Sequence, residues 1–328
     1  MVRSFLYFLL IGVFTTTIYA QKTYRKDFKA MGSGFQITVV AKDSSEAFSA
    51  INLAKQEIAR IEKLISSWDI NSETSAINRN AGIDAVVVSE ELFSLIERAT
   101  KLSALTDGAF DISYASMDKI WKFDGTVQEM PNDAAIKASI AKVGFHKILL
   151  DPKQNSVFLT EKGMKIGFGA IGKGYAADKA KELLREMGVP AGIVNASGDM
   201  NTWGKQLNGK PWTVAITNPL NKNKAFATLP ITDGAVVTSG NYEKYINISG
   251  KRYTHIIDPR SGYPSSGLLS VTVFAPKAEL ADALATSVFV MGKEAGIDRI
   301  NQLPQVECII VDEEGEVTTS NHIKIDKL

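Results

Sequence analysis

Two oxygen-bearing side chains, Asp282 and Thr286, interrupt the otherwise apolar run Ala281-Asp282-Ala283-Leu284-Ala285-Thr286. Spaced i and i+4, they share one face of a helix. A carboxylate and a hydroxyl are hard ligands, and magnesium suits a site with few protein ligands completed by substrate phosphates and water. In the other reading Thr286 bonds back to its own helix and Asp282 faces solvent. Either way a polar group in an apolar segment needs a partner, and the residues alone do not specify which.

Histidine is the commonest general acid or base, and the chain holds three: His146, His255 and His322. His255 stands in Tyr253-Thr254-His255-Ile256-Ile257-Asp258-Pro259-Arg260-Ser261-Gly262. There Asp258 could orient the ring and Arg260 could meet a phosphate. A structural histidine at a strand end is the alternative. A glycine-rich turn, Gly167-Phe168-Gly169-Ala170-Ile171-Gly172-Lys173-Gly174-Tyr175, falls between a strand-like stretch and a helix. Glycines let the backbone approach a ligand, and a helix N-terminus offers N–H groups to phosphate, with Lys173 adding charge. The turn matches neither a Walker loop nor a dinucleotide fingerprint, and helix–strand packing explains its glycines equally well. Met31, Trp68 and Phe110 offer apolar surface that permits a flat ring system, although core packing is their plainer use.

The elements that must position these groups are legible in outline. Phe35 to Ala41 alternates like a strand, and Asp43 to Ile65 predicts a helix opened by an Asp43–Glu46 capping box. Its periodic apolar residues are Phe48, Ile51, Ala54, Ile58, Ile61 and Ile65. Further helices are predicted from Ser89 to Ala104, after Pro131, from Lys173 to Met187 and from Glu279 to Val290. Lys147–Leu150 and Ser156–Thr160 read as a hairpin, and Met164–Phe168 as a strand. The C-terminal half is strand-rich, at Ile193–Ala196, Trp212–Thr217, Arg252–Asp258 and Ser270–Phe274, with a further strand-like run over Val306–Val311. Neighbouring strands joined by short turns favour an α+β fold with a mixed, largely antiparallel sheet packed with helices over regular βαβ alternation.

Bulk properties narrow the partners. Lys and Arg number 37 against 36 Asp and Glu, a net charge of +1, so neither nucleic acid nor an anionic membrane is indicated as the main partner. Arg3, the apolar run Phe5 to Phe14 and Ile18-Tyr19-Ala20 predict a signal peptide over residues 1–20, with a short uncleaved anchor as the alternative. No cysteine stands near the cleavage point, which argues against a lipoprotein, and the lone Cys308 cannot form an intrachain disulfide. The expected product is an exported, periplasmic, soluble chain folding over residues 21–328.

The order of several motifs says more than any one of them. Met31-Gly32-Ser33, Ser66-Ser67-Trp68, Asp107-Gly108-Ala109-Phe110-Asp111, Trp121, Gly172 to Asp178, Asn195-Ala196-Ser197-Gly198-Asp199, Thr238-Ser239-Gly240, the His255 segment and Ala281 to Thr286 follow one another along the chain. In this order they resemble the ApbE family from about Met31 to Gly292. The resemblance implies binding of FAD with Mg2+, cleavage of its pyrophosphate, and transfer of FMN to a Ser or Thr hydroxyl of an acceptor protein with release of AMP. It implies FAD contacts at Met31, Trp68, Ala109, Phe110, Asp111, Lys173 and Ile256. It implies magnesium ligands at the Ala170 carbonyl, Asp282 and Thr286, and His255 as the catalytic histidine. Family acceptors carry a Ser-Gly-Ala-Thr-like segment that this chain lacks, so the flavin is expected to leave on another protein, itself a possible link to the membrane. FAD pyrophosphatase activity, yielding FMN and AMP, is an alternative the motifs fit equally, and a non-enzymatic flavin binder is a third. Two departures touch ligand grip: Gly167, where many relatives carry an acidic residue, and Ala196-Ser197, where glycine is frequent.

Overall fold

The computed structural model describes residues 21–123, 129–219, 221–241, 245–248 and 251–323. The expected signal peptide lies outside them. Lys22–Ala30 (β1) and Ser33–Ala41 (β2) form a hairpin closed by Met31 and Gly32, whose φ angles are 50° and 69°. Asp43 caps α1 (Ser44–Ile65) by accepting the Glu46 N–H, while Glu46 reaches back to the Lys42 N–H at 3.2 Å. The expected box therefore forms with its return bond one residue earlier.

Next come α2 (Glu73–Arg79), β3 (Val86–Val87), α3 (Glu90–Leu105, capped by Ser89) and α4 (Asp133–Ser139). The expected hairpin is β4 (Ile148–Asp151) and β5 (Ser156–Leu159), and β3 pairs with the free edge of β5. Helix α5 spans Gly172–Glu186, and Gly188 (φ 82°) follows its end. A run of strands follows: β6 (Gly192–Ala196), β7 (Asp199–Trp203), β8 (Trp212–Asn218), β9 (Asn221–Ile231), β10 (Gly234–Gly240), β11 (Tyr245–Ile248), β12 (Lys251–Thr254) and β13 (Leu268–Ala275). The chain then forms α6 (Ala278–Met291), α7 (Lys293–Asn301), β14 (Glu307–Asp312) and β15 (Val317–Thr319).

The main sheet has the order β1-β2-β6-β7-β10-β13-β14-β15, and its neighbouring strands pair antiparallel. This is the α+β arrangement the sequence predicts. Helices α1, α5 and α6 pack on it and on one another. Ile51, Ile58 and Ile61 of α1, Ala176 and Ala180 of α5, and Leu284 and Val288 of α6 are all buried in one core. Alanines along α5 and α6 let these helices approach each other and the sheet closely. Among the described residues no helix is long and apolar enough to cross a membrane.

Three expectations are corrected. Phe48 is 39% exposed and lies edge-on to Tyr24 of β1, outside the core. Residues 164–168 pair with no strand. The side chains of Asn78 and Ser116 instead bond both the N–H and the C=O of Ile166 and Lys165 respectively, and the Gly167 N–H reaches Ile112 O. Side chains here do the work of a ladder, which satisfies the backbone without a strand neighbour. The strand expected over Arg252–Asp258 stops at Thr254, whose hydroxyl accepts the Ile256 N–H (3.1 Å) and turns the chain.

Candidate active site

A cavity of about 660 Å3 opens where the β1–β2 turn, the segment after α3, the glycine-rich turn, the β6–β7 turn, the end of β10, the His255 segment and α6 converge. Its walls include Ala109, Phe110, Asp111, Ala170, Lys173, His255, Ile256, Asp282 and Thr286. Residues more than 100 positions apart in the chain, such as Lys173 and Asp282, thus line one cavity because α6 crosses beside the N-terminus of α5.

That crossing is tight. A Cβ on Gly174 would stand 2.2 Å from Ala278 O, so only glycine admits this approach. The Asp178 carboxylate of α5 accepts the N–H groups of both Ala278 and Glu279, at 2.9 Å each, and so caps α6 from its neighbour. Burial pushes Asp178 up to about 6 despite these bonds. Four residues into α6, Asp282 is 4% exposed and accepts the Gly174 N–H at 3.1 Å. Burial raises its carboxyl above the usual range, and Lys173 opposes the shift. Asp199 on β7 is also buried and raised, first by desolvation and then by the Asp282 charge, although it forms an ion pair with Lys173. Two buried carboxylates beside one ammonium are costly to ionise together, and a cation bound there would favour the ionised form of both. Thr286 lies one turn beyond Asp282, its hydroxyl 3.4 Å from Ser239 Oγ, and Ala170 lines the same space.

Among the described residues no three His, Cys, Asp or Glu side chains gather as a metal cluster. The donors present are a carboxylate, a hydroxyl and a carbonyl-bearing turn, a set that fits a hard divalent cation completing its shell from water and a substrate phosphate. The expected role of the α5 N-terminus needs revision. Its Gly172 N–H goes to Phe168 O at 2.7 Å and its Gly174 N–H to Asp282. Both amides are spent within the protein, so neither is open to a phosphate.

Of the three histidines, His255 is the one lining the cavity, and it is exposed there; His322 pairs with Glu307 at 2.7 Å. Its segment is stiffened by Ser265 N–H to Ile256 O (2.8 Å), by Gly262 N–H to Asp258 O (2.8 Å), and by buried Trp121, whose indole donates to Gly262 O (2.9 Å). Asp258 and Arg260 form a two-point ion pair at 2.9 Å, and neither lines the cavity. Asp111 spends its buried carboxylate on Ser113 N–H and Phe145 N–H, both at 2.7 Å, with burial raising its pKa. It builds the wall that carries Ala109 and Phe110. Met31 packs against the core, and only its neighbours Gly32 and Ser33 line the cavity. Trp68 is 83% exposed outside the lining, with Lys119 Nζ 4.9 Å from its ring centroid.

The ApbE family model matches residues 31–310. The chain belongs to the ApbE family. It is 32% identical over 302 residues to the FAD:protein FMN transferase of Klebsiella pneumoniae, covering 92% of each chain. It is 29% identical over 272 residues to the FAD:protein FMN transferase of Escherichia coli K12, covering 81% of this chain and 78% of that one. Among solved structures it superimposes on the ApbE protein of Thermotoga maritima with TM-score 0.82 and 32% identity, over 92% of this chain and 97% of the other. The apo flavinyl transferase ApbE of Pseudomonas stutzeri gives TM-score 0.82 at 26% identity, over 93% and 96%. The protein is thus an enzyme of a flavin-transfer family.

This ApbE chain also lines its cavity with residues to which sequence reasoning gave no role: Tyr114, Asp199, Thr238 and Ser239. Asp199, Thr238 and Ser239 sit inside the ordered motifs, which was the available signal; nothing in the spacing marked Tyr114. At the first departure, a Cβ on Gly167 would stand 3.0 Å from Ala115 Cβ, so a side chain there requires Ala115 to give way. At the second, Ser197 takes φ 60° beside Gly198 (φ 104°) in the β6–β7 turn and lines the cavity, while Ala196 is buried.

Proposed function

We propose that this protein is a magnesium-dependent FAD:protein FMN transferase that moves FMN from FAD to a Ser or Thr hydroxyl of an acceptor protein and releases AMP. The observation that carries the reading is the convergence of nine of the eleven expected site residues on one cavity. In this reading Asp282, Thr286 and the Ala170 carbonyl hold the ion, Lys173 meets the phosphates, and Ala109, Phe110, Asp111 and Ile256 wall the dinucleotide. The Met31 turn and the exposed face of Trp68 border its ends. Residues 21–328 act as one transferase domain, exported behind a leader at 1–20 and working in the periplasm.

Bound magnesium would supply positive charge to the pyrophosphate and to departing AMP. The acceptor hydroxyl is a poor nucleophile at neutral pH and needs a base. His255 takes its proton as the oxygen attacks the FMN phosphorus, the anhydride P–O bond breaks, and AMP leaves with the bonding pair. The exposure of His255 suits this role, because the acceptor must reach it from outside.

The test incubates the protein lacking residues 1–20 with FAD and Mg2+, with and without an acceptor bearing a Ser-Gly-Ala-Thr segment. Covalent flavin fluorescence on the acceptor in a denaturing gel, matched by AMP, is the expected result. AMP released equally without acceptor would replace the transferase by an FAD pyrophosphatase, and tight FAD binding with no AMP would leave a flavin-binding protein.

A further inference from the structure

Tyr114 is the large polar side chain of the cavity wall that the reading above leaves without a task. It sits in the short 3-10 turn Ile112–Ser116, opened by the Asp111 carboxylate accepting the Ser113 N–H. Its hydroxyl lies directly over the glycine-rich turn. A Cβ on Gly169 would be 2.4 Å from that oxygen and 3.5 Å from Cζ, and a Cβ on Gly167 would be 3.7 Å from the same oxygen. The tyrosine and the two glycines are therefore complementary: no side chain at position 169 is compatible with this placement of the phenol.

Tyr114 is 38% exposed and lines the cavity, with its hydroxyl beside the turn that leads into Ala170. The phenol O–H is itself a hydrogen-bond donor. Burial, with the nearby Asp282 charge, keeps the phenol protonated. Beside it, Ala170, Lys173 and Asp282 form the end of the cavity suited to a cation and an anionic ligand. A donor held there faces anionic oxygen, the acceptor that makes the stronger, charge-assisted hydrogen bond.

Resting on the transferase reading, we propose that Tyr114 Oη donates a hydrogen bond to a phosphate oxygen of the bound nucleotide at the Ala170–Asp282 end of the cavity. The glycines at 167 and 169 are, in this account, the space that lets the phenol reach it. Tyr114 is then a binding residue for the reaction, adding a neutral donor where Lys173 is already paired with Asp199.

Tyr114→Phe removes the oxygen alone and keeps the ring packing. Binding of FAD, AMP and adenosine, each with Mg2+, is measured by calorimetry on the wild type and the variant, with thermal unfolding alongside. A hydrogen bond to a charged group predicts that FAD and AMP weaken by about tenfold or more, that adenosine binding is unchanged, and that the unfolding temperature stays near wild type. Equal AMP affinity in the two proteins overturns the proposal while leaving the transferase reading intact. So does an equal loss for AMP and adenosine, which would assign the phenol to packing or to the ribose. If the wild type binds neither FAD nor AMP, the transferase reading itself falls and takes this assignment with it.

Discussion

The two sides of the cavity are built differently. On the Asp282 side, two helices cross at a glycine with no room for a methyl group, and one caps the other through Asp178. On the His255 side, an exposed turn is held by a few backbone bonds and by the Trp121 indole. The first side is over-determined by packing, which suits groups that must hold a cation and phosphates at fixed separation. The second is open, which suits a base that must meet an incoming protein chain. Substitutions on the packed side should damage folding and function together, whereas those on the open side should damage function alone.

The largest expected effect is Asp282→Ala. Losing one ligand of a Lewis-acid site should lower the rate of AMP release by about a thousandfold or more. The loss should persist at raised Mg2+, and the unfolding temperature should fall with it, because the buried Gly174 N–H loses its acceptor at the helix crossing. His255→Gln should lower turnover by about a hundredfold or more, with FAD affinity and unfolding temperature unchanged. A fall in stability at this exposed position would contradict the contrast. Gly174→Ala should reverse the pattern, costing about 2 kcal/mol through overpacking against Ala278 O, read by chemical denaturation, with activity lost in proportion to unfolding.

The smallest effect is a pH slope. Asp178 titrates at about 6 in the folded protein, above the ordinary carboxylate value of 3.8, because burial disfavours its anion. A group raised in this way contributes stability that is fully present below 3.8 and is lost as pH rises through 6. The difference between wild type and Asp178→Asn in denaturant midpoint should therefore change across that window and be flat above it. A constant difference from pH 3.5 to about 7 would contradict the burial account of this carboxylate.

Local signals carried much of this architecture. Asp43 and Glu46 announced α1, Gly188 marked the end of α5, and the alternation of Phe35 to Ala41 marked β2. Asp282 and Thr286 were visible because polar residues at helical spacing stand out in an alanine-rich run. What stayed hidden depends on contacts distant in the chain. Strand pairing at residues 164–168 is replaced by Asn78, 88 positions away, which no local pattern records. The same holds for Phe48, whose exposure follows from the edge of β1, and for the Gly174 amide, which Asp282 claims from 108 residues further along. Tyr114 reads as one more aromatic until Gly167 and Gly169 fold beneath it. Residues whose roles follow from periodicity were legible; those whose roles follow from a tertiary gap were not.

The proposed function places a divalent ion at the buried Asp282 end of the cavity, where it would promote FAD cleavage. It is tested most directly by titrating Mg2+ into metal-free protein with FAD and acceptor, following AMP release for wild type and Asp282→Ala side by side. The account predicts that wild-type release rises from baseline with added Mg2+ and that the variant stays near baseline throughout. Equal rates for the two proteins at the same Mg2+, or wild-type release that ignores the ion, would contradict it.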